Sequence, residues 1–224
     1  MNEMNSLSYE KALKYDKRNY IKYYLSLLRT KHLVIFTFCN NNDYNSIIIK
    51  ICLLFFSFSM YFTINTLFFT DSTMHKIYED KGKFDFIYQI PHILYSTVIS
   101  TVINIIIKYL SLSERNIIEL KKVKTNLEQK SKIILKYLKI KISLFFIFSF
   151  LFLSIFWYYV SCFCAVYKNT QLFLIKVTSI SFSLTLVYPF ILNLIPGIFR
   201  IISLNSKKKD RAKLYKFSQL LQKI

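Results

Sequence analysis

The chain has 224 residues, of which 54% are hydrophobic and 19% are charged, and its formal net charge is +19. It contains only two glycines, far apart, and three histidines that are scattered along the chain. These residues cannot form a glycine-rich phosphate-binding loop or a paired-histidine zinc motif. We therefore expect neither enzymatic activity nor a cofactor.

The N-terminal region, residues 1–45, is basic. It alternates charged side chains with tyrosine and leucine and has no apolar segment of the kind found in secretory signals. Its spacing predicts amphipathic helices that lie on a membrane surface. The apolar face would comprise Leu13, Tyr20, Tyr24, Leu27 and Leu28.

Four apolar blocks follow, within a predicted membrane domain at 46–203. A helix that crosses a bilayer needs about 20 consecutive apolar residues. The blocks cover about 46–69, 90–107, 142–167 and 177–199. A buried helix of a soluble protein rarely has so long an apolar run, because it usually keeps a polar face. We predict an all-α polytopic membrane protein, a bundle of four transmembrane helices with amphipathic helices at the cytoplasmic side.

The loop after the first block has acidic and histidine side chains at four-residue intervals, at Asp71, His75 and Glu79. On a helix they share one face, where such side chains can bind a divalent metal ion. A short capped helix explains them equally well, with Asp71 or Ser72 at its N-cap and Gly82 in its C-terminal turn. We predict no metal site, and the three residues remain candidates for a metal-dependent membrane enzyme.

The second block carries a polar ridge, which consists of His92, Ser96, Ser100, Asn104 and Lys108. Four-residue spacing places these side chains along one side of a helix. Polar groups facing hydrocarbon are costly, so the ridge should face protein or water. It is either a helix-packing seam or the lining of a pore. The seam is favoured because no span contains an acidic residue, which a cation pathway often has.

The distribution of cations predicts the orientation. Residues 1–45, the central loop 108–141 and residues 200–224 have net charges of +3, +7 and +7, whereas 70–89 and 168–176 have −1 and +2. Basic segments remain in the cytoplasm during insertion. We expect both termini and the central loop on that side, with a helical hairpin in the loop.

The tail, residues 204–224, begins with a basic cluster formed by Lys207, Lys208, Lys209 and Arg211. The cluster directly follows the fourth block, so contact with anionic lipids of the inner leaflet explains it better than nucleic-acid binding. Each such cation contributes about 1 kcal/mol near an anionic surface. The alternative is that these residues only set the topology.

The stretch SMYFTINTLFFTDSTMHKIYEDKGKFDFIYQIPHILYSTVISTVINIIIKYLSLSERN is similar to a membrane module at the C-terminal ends of large, uncharacterised protist surface proteins. The resemblance covers about Asn40 to Lys122, and it implies an anchoring region without assigning a role to any residue. We therefore expect a non-enzymatic anchoring or assembly module that contacts lipid and other membrane helices. The alternative is an ion channel or transporter subunit lined by the polar ridge.

Overall fold

The computed structural model describes residues 2–5, 7–39, 43–113, 116–117, 127–205 and 211–222. All regular elements in these ranges are helices. Contacts divide the chain into two compact units, residues 44–185 and residues 1–43 with 186–224. We call the first the membrane unit and the second the terminal unit. This division differs from the predicted one, which separated the two ends of the chain.

The terminal unit contains short helices from both ends of the chain. They are α1 (Asn2–Asn5), α2 (Tyr9–Tyr15), α3 (Tyr20–Lys31), α4 (Leu33–Phe38), α10 (Leu194–Leu204) and α11 (Arg211–Leu221). The membrane unit contains α5 (Ile47–Leu67), α6 (Asp71–Glu79), α7 (Phe86–Ser111), α8 (Leu127–Val166) and a 3₁₀ turn (Lys168–Thr170). Helix α9 (Gln171–Leu192) begins in the membrane unit and ends in the terminal unit.

Four helical segments are long and apolar enough to cross a membrane, namely Ile47–Leu67, Phe86–Ser111, Glu128–Val166 and Lys168–Leu204. Large apolar side chains also cover the outer surface of these helices, as at Ile105 (59% exposed) and Phe150 (72% exposed). Such a surface is stable against lipid rather than water. The prediction of an all-α protein with four spans is confirmed.

The third span begins earlier than predicted. We placed its start at residue 142, where the charges end, but α8 is one continuous helix of 40 residues. Its first 15 residues include five lysines, which are good helix formers, and contain no glycine or proline. At 1.5 Å per residue α8 is about 60 Å long, twice the hydrocarbon thickness of a bilayer. The predicted loop hairpin falls partly outside the described residues.

The fourth span also has different bounds. Helix α9 starts at Gln171 rather than 177, ends at Leu192, and is separated from α10 by a turn at Asn193. Pro189 lies inside α9, and its carbonyl accepts hydrogen bonds from the backbone N (3.2 Å) and the Nδ2 (2.7 Å) of Asn193. With 22 residues, α9 alone is about 33 Å long and sufficient for one crossing.

The amphipathic N-terminal helices pack differently from the prediction. Leu27 and Leu28 of α3 are buried in the terminal unit, and the Tyr24 hydroxyl donates to the carbonyl of Phe190 over 3.0 Å. Much of the apolar face that we expected on a membrane surface therefore packs on protein. A different stripe of α3 is exposed, at Ile21 and Leu25.

Two apolar clusters form the core of the membrane unit. Phe56, Met60 and Ile64 of α5 pack against side chains of α7 and α8. A second cluster contains Phe69, Ile77, Ile93 and Phe163, together with residues of α9. The second cluster fixes the connection containing α6 against the adjoining ends of the spans.

Candidate functional site: a polar ladder in the membrane unit

The polar ridge of α7 faces the interior of the membrane unit. Ser96 and Ser100 are fully buried and Asn104 is 9% exposed. The Asn104 Oδ1 accepts a hydrogen bond from Ser57 of α5 at 2.5 Å, and the Ser96 hydroxyl donates to Ser181 of α9 at 3.3 Å. The structure thus brings the ridge against two neighbouring helices of the same chain.

The His92 ring, at the other end of the ridge, contacts Asn65 of α5. Its Nε2 lies 3.1 Å from the Asn65 Oδ1, and the rings of Phe68 and Phe69 pack against the imidazole. Asn65 is fully buried and donates from its Nδ2 to the Tyr61 carbonyl at 2.8 Å. His92 is therefore held between an amide and two aromatic rings.

These contacts form a ladder, because α5 runs antiparallel to α7. The pair Asn65–His92 lies at one end of this arrangement and the pair Ser57–Asn104 at the other. The polar residues of α7 follow one another every four positions, which is about 6 Å along the helix axis. Along α9 the ladder continues through a short hydrogen bond between the Tyr61 and Thr185 hydroxyls. We call this arrangement the polar ladder.

One level of the ladder lacks a hydrogen bond. Ser100 lies between Ser96 and Asn104 on α7, yet its buried hydroxyl has no hydrogen-bond partner among the described residues. The same holds for the buried hydroxyls of Thr97 on α7 and Thr178 on α9. Buried polar groups of this kind are usually satisfied by protein or by ordered water.

Lys108 lies one turn beyond Asn104 and is only partly buried. It is near the end of α7, where a lysine stem can follow the helix surface and place its ammonium group near the lipid headgroups. It therefore marks the end of the ladder rather than a further buried level.

The structure does not bring the three metal-site candidates together as a ligand cluster. His75 Nε2 and Glu79 Oε1 lie 3.8 Å apart, and both side chains are largely exposed. Within the described ranges, no group of three histidine, cysteine or acidic side chains is placed to bind a metal ion. Thr70, rather than Asp71 or Ser72, caps α6 by accepting from the backbone of Thr73.

Gly82 has the positive φ that we expected after α6, +74°, and its N–H donates to the carbonyl of Ile77 over 2.9 Å. This hydrogen bond closes the C-terminal turn of α6. The arrangement of Asp71, His75 and Glu79 is thus that of a short capped helix with one exposed histidine–glutamate contact.

The sequence reasoning missed a buried ionic cluster in the terminal unit. Arg200 of α10 is 1% exposed and donates from Nη2 to the Asp16 Oδ2 at 2.6 Å and from Nε to the same oxygen at 3.1 Å. Arg18 binds the same carboxylate through Nε (2.7 Å) and Nη2 (2.9 Å). We call these three residues the ionic cluster.

Two tyrosine rings enclose the Arg200 guanidinium. Its Cζ lies 4.7 Å from the ring centre of Tyr23 and 4.9 Å from that of Tyr215. Cation–π attraction of this kind is strongest where water is excluded. Burial also raises the pKa of both tyrosine hydroxyls, so the rings remain neutral partners. The ionic cluster joins both ends of the chain to α10.

A weak signal for this cluster exists in the sequence. Arg200 is flanked on both sides by apolar residues, and a cation in such a block usually has a partner. Nothing in the spacing identifies Asp16 as that partner, because 184 positions separate the two residues. In the sequence, Arg200 is one of the cations of the basic segment 200–224, whose charge predicts the orientation.

The basic tail cluster is only partly described. Arg211 donates from Nη1 to the carbonyl of Ile202 at 2.6 Å, which places it beside the end of α10. Lys207, Lys208 and Lys209 lie outside the described residues.

No protein-family model matches this chain, and no curated protein or solved structure matches it significantly. The resemblance to the protist surface-protein module stays a prediction.

Proposed function

We propose that this multi-pass membrane protein is a non-enzymatic anchoring or assembly module. The observation that carries the proposal is the polar ladder, in which His92, Ser96 and Asn104 bind residues of the same chain. Hydrogen bonds between membrane helices stabilise association by about 0.6 kcal/mol on average. Several of them along one seam favour a self-supporting helix bundle.

The remaining surface supports an anchoring role. The exposed faces of α7 and α8 carry mainly apolar side chains such as Val98, Ile105, Phe150 and Ile155. These faces are available to lipid and to the helices of other membrane proteins. We propose such helices as partners, and we propose no enzymatic chemistry, nucleic-acid partner or cofactor for this chain.

The terminal unit supports the proposed location of both termini on the cytoplasmic side. The Tyr215 hydroxyl and the Gln219 Nε2 both donate to the Leu7 carbonyl, at 2.9 and 2.7 Å, so helices from the two ends lie side by side. The positive charge of these segments favours the cytoplasmic face. There, Lys213 and Lys216, exposed on α11, and the tail cations before them contact anionic lipid.

A second candidate function is a channel or transporter subunit. The observation that favours it is the set of buried hydroxyls without partners at Thr97, Ser100 and Thr178. Water bound there would extend the polar ladder through much of the unit. Proton or ion flux across liposomes that contain the purified protein, lost in Ser100→Ala, would support this function over anchoring.

Asn104→Leu tests the anchoring proposal, because leucine is similar in size but cannot accept the Ser57 hydrogen bond. We expect the bundle to lose about 1 kcal/mol of stability in detergent, measured as a lower midpoint of thermal unfolding. Liposomes should show no flux above protein-free background for either form of the protein.

Val102→Leu is the matched control, since Val102 lies on the same helix but is 53% exposed on its apolar face. It should unfold at the wild-type midpoint. An unchanged midpoint for Asn104→Leu, combined with altered conductance, would contradict the anchoring proposal and favour a pore.

A further inference from the structure

A large cleft opens at the end of the membrane unit that carries the two short connections. Its volume is about 910 Å³, within the usual range for ligand sites. One wall is formed by α6 and the following turn, and the other by the connection from α8 to α9. The lining residues that matter here are Tyr78, Glu79, Lys81, Val166 and Lys168.

The cleft lies at the depth where the spans end. Val166 is the last residue of α8, and Gln171, just beyond the lining, is the first of α9. Val166 is 72% exposed and Leu172, one residue into α9, is 66% exposed. Apolar side chains exposed at this position contact acyl chains, so the adjoining cleft lies level with lipid headgroups.

The charges in the cleft are of both signs. The ammonium groups of Lys81 and Lys168 form no ion pair with any other described side chain. Glu79 contacts His75 only at 3.8 Å, and both are exposed. The Tyr78 ring is 80% exposed and offers a face to a cationic group.

From this combination we propose that the cleft binds the zwitterionic headgroup of a phospholipid. Lys81 and Lys168 bind the phosphate, while Glu79 and the Tyr78 ring bind the amine. The acyl chains extend along Val166 and the apolar surface of the adjoining spans. This site is distinct from the basic tail, and it depends only on the spans crossing a membrane, not on the anchoring role.

Native mass spectrometry of the full chain in detergent tests the site. The probes are phosphatidylethanolamine and phosphatidylglycerol with identical acyl chains. In the double variant Lys81→Asn/Lys168→Gln, phosphatidylethanolamine affinity should fall by about tenfold, because two cations near the phosphate are lost. Asparagine is chosen at position 81 because φ there is +51°, and asparagine adopts a positive φ more readily than most residues.

Glu79→Gln tests the choice of headgroup. It should weaken phosphatidylethanolamine binding by about threefold without weakening phosphatidylglycerol binding, because only the former carries an amine. Equal effects on both lipids would overturn the proposed zwitterion.

Lys83→Gln is the matched control, since Lys83 is exposed in the same connection but does not line the cleft. It should retain wild-type binding. The proposal is overturned if the double variant binds like the wild type, or if Lys83→Gln loses as much affinity. If soluble phosphoethanolamine at equal concentration displaces the lipid, the ligand is the free headgroup compound rather than a lipid, and the proposal is overturned.

Discussion

Asp16 and Arg200 depend on each other for their burial. Their side chains are 2% and 1% exposed, so water does not solvate either charge. Removing one partner of such a pair usually costs about 3–5 kcal/mol, because the other charge is left buried without compensation. A matched apolar replacement of both partners often costs much less. The pair therefore specifies how the two ends of the chain meet more than it adds net stability.

Asp16→Asn should destabilise the terminal unit by about 3 kcal/mol, since the buried Arg200 loses its counter-charge. Hydrogen exchange of α2, α3 and α11 in micelles measures the effect as faster exchange of their amides. Glu10→Gln, on the exposed face of α2, makes the same change of charge and should exchange like the wild type. Equal exchange in the two variants would contradict the role of the pair.

The same carboxylate predicts a pH dependence. Burial alone would raise the pKa of Asp16, but hydrogen bonds from Arg18 and Arg200 and their positive charges lower it from 3.8 to about 2. Because the pKa of Asp16 is lower in the folded state, its ionised carboxylate stabilises the protein above pH 4. This stabilisation is lost as the pH falls towards 2.

Protection of the terminal unit should therefore be constant from pH 7 to 5 and decrease below pH 4, by at most about 2 kcal/mol. Hydrogen exchange of α3, corrected for the intrinsic rate at each pH, measures this protection. In the Asp16→Asn variant, the decrease in protection below pH 4 should be absent. If the decrease persists in this variant, it arises from a group other than Asp16.

At the scale of elements, the close packing of α3 against α10 depends on Gly197. A Cβ at position 197 would lie 2.7 Å from the Tyr20 Cε2, closer than side chains approach one another. The Tyr20 ring cannot move freely, because it stacks on Tyr24 and its hydroxyl donates to the Leu194 carbonyl at 3.3 Å. Gly197 is thus required by this contact, although alanine is the better helix former by about 1 kcal/mol.

Gly197→Ala should destabilise the terminal unit by about 1 kcal/mol, as the steric cost exceeds the gain in helix propensity. In a Tyr20→Ala background the same substitution should instead be stabilising, because only the helix propensity remains. Hydrogen exchange of α3 and α10 in the four proteins of this cycle measures both effects. The same sign in both backgrounds would contradict the steric argument.

Individual elements show how far the sequence predicts this fold. Apolar length identified the four spans because few other structures can satisfy the backbone of such segments in a bilayer. The ends of the spans were less predictable. The positions of the charged residues predict where each apolar segment ends. Helix α8 nevertheless extends through its lysines, because this segment contains no glycine or proline to end a helix.

The candidate site was predictable only in part. Four-residue spacing identified the ridge on α7, whereas its partners Ser57, Asn65 and Ser181 depend on helix packing that no local pattern encodes. The link from Asp16 to Arg200 is similarly remote. Local patterns indicated the polar face, and tertiary packing determined its partners.

For the whole molecule, the proposed orientation predicts which residues are accessible from each side of the membrane. Two proteins with a single cysteine each test this orientation. One keeps the native Cys39 in the terminal unit, and the other carries Asn169→Cys in the connection between α8 and α9. Both positions are exposed. An impermeant maleimide should label position 169 in intact cells and Cys39 only after the membrane is permeabilised, because basic segments stay inside.

Labelling of Cys39 in intact cells would contradict a cytoplasmic N-terminus. Labelling of both positions in intact cells would contradict an odd number of crossings between them. Parallel labelling of a known cytoplasmic protein controls for leaky cells.

The continuous course of α8 has a mechanical consequence. The helix is about 60 Å long and has no glycine or proline hinge, so its lysine-rich start and its opposite end move as one piece. Phe163 packs in the apolar cluster that contains Ile93 and residues of α9, so a lateral pull on the start of α8 is transmitted to the bundle. A lateral displacement of the start of α8 would therefore also displace its other end, beside the connection to α9.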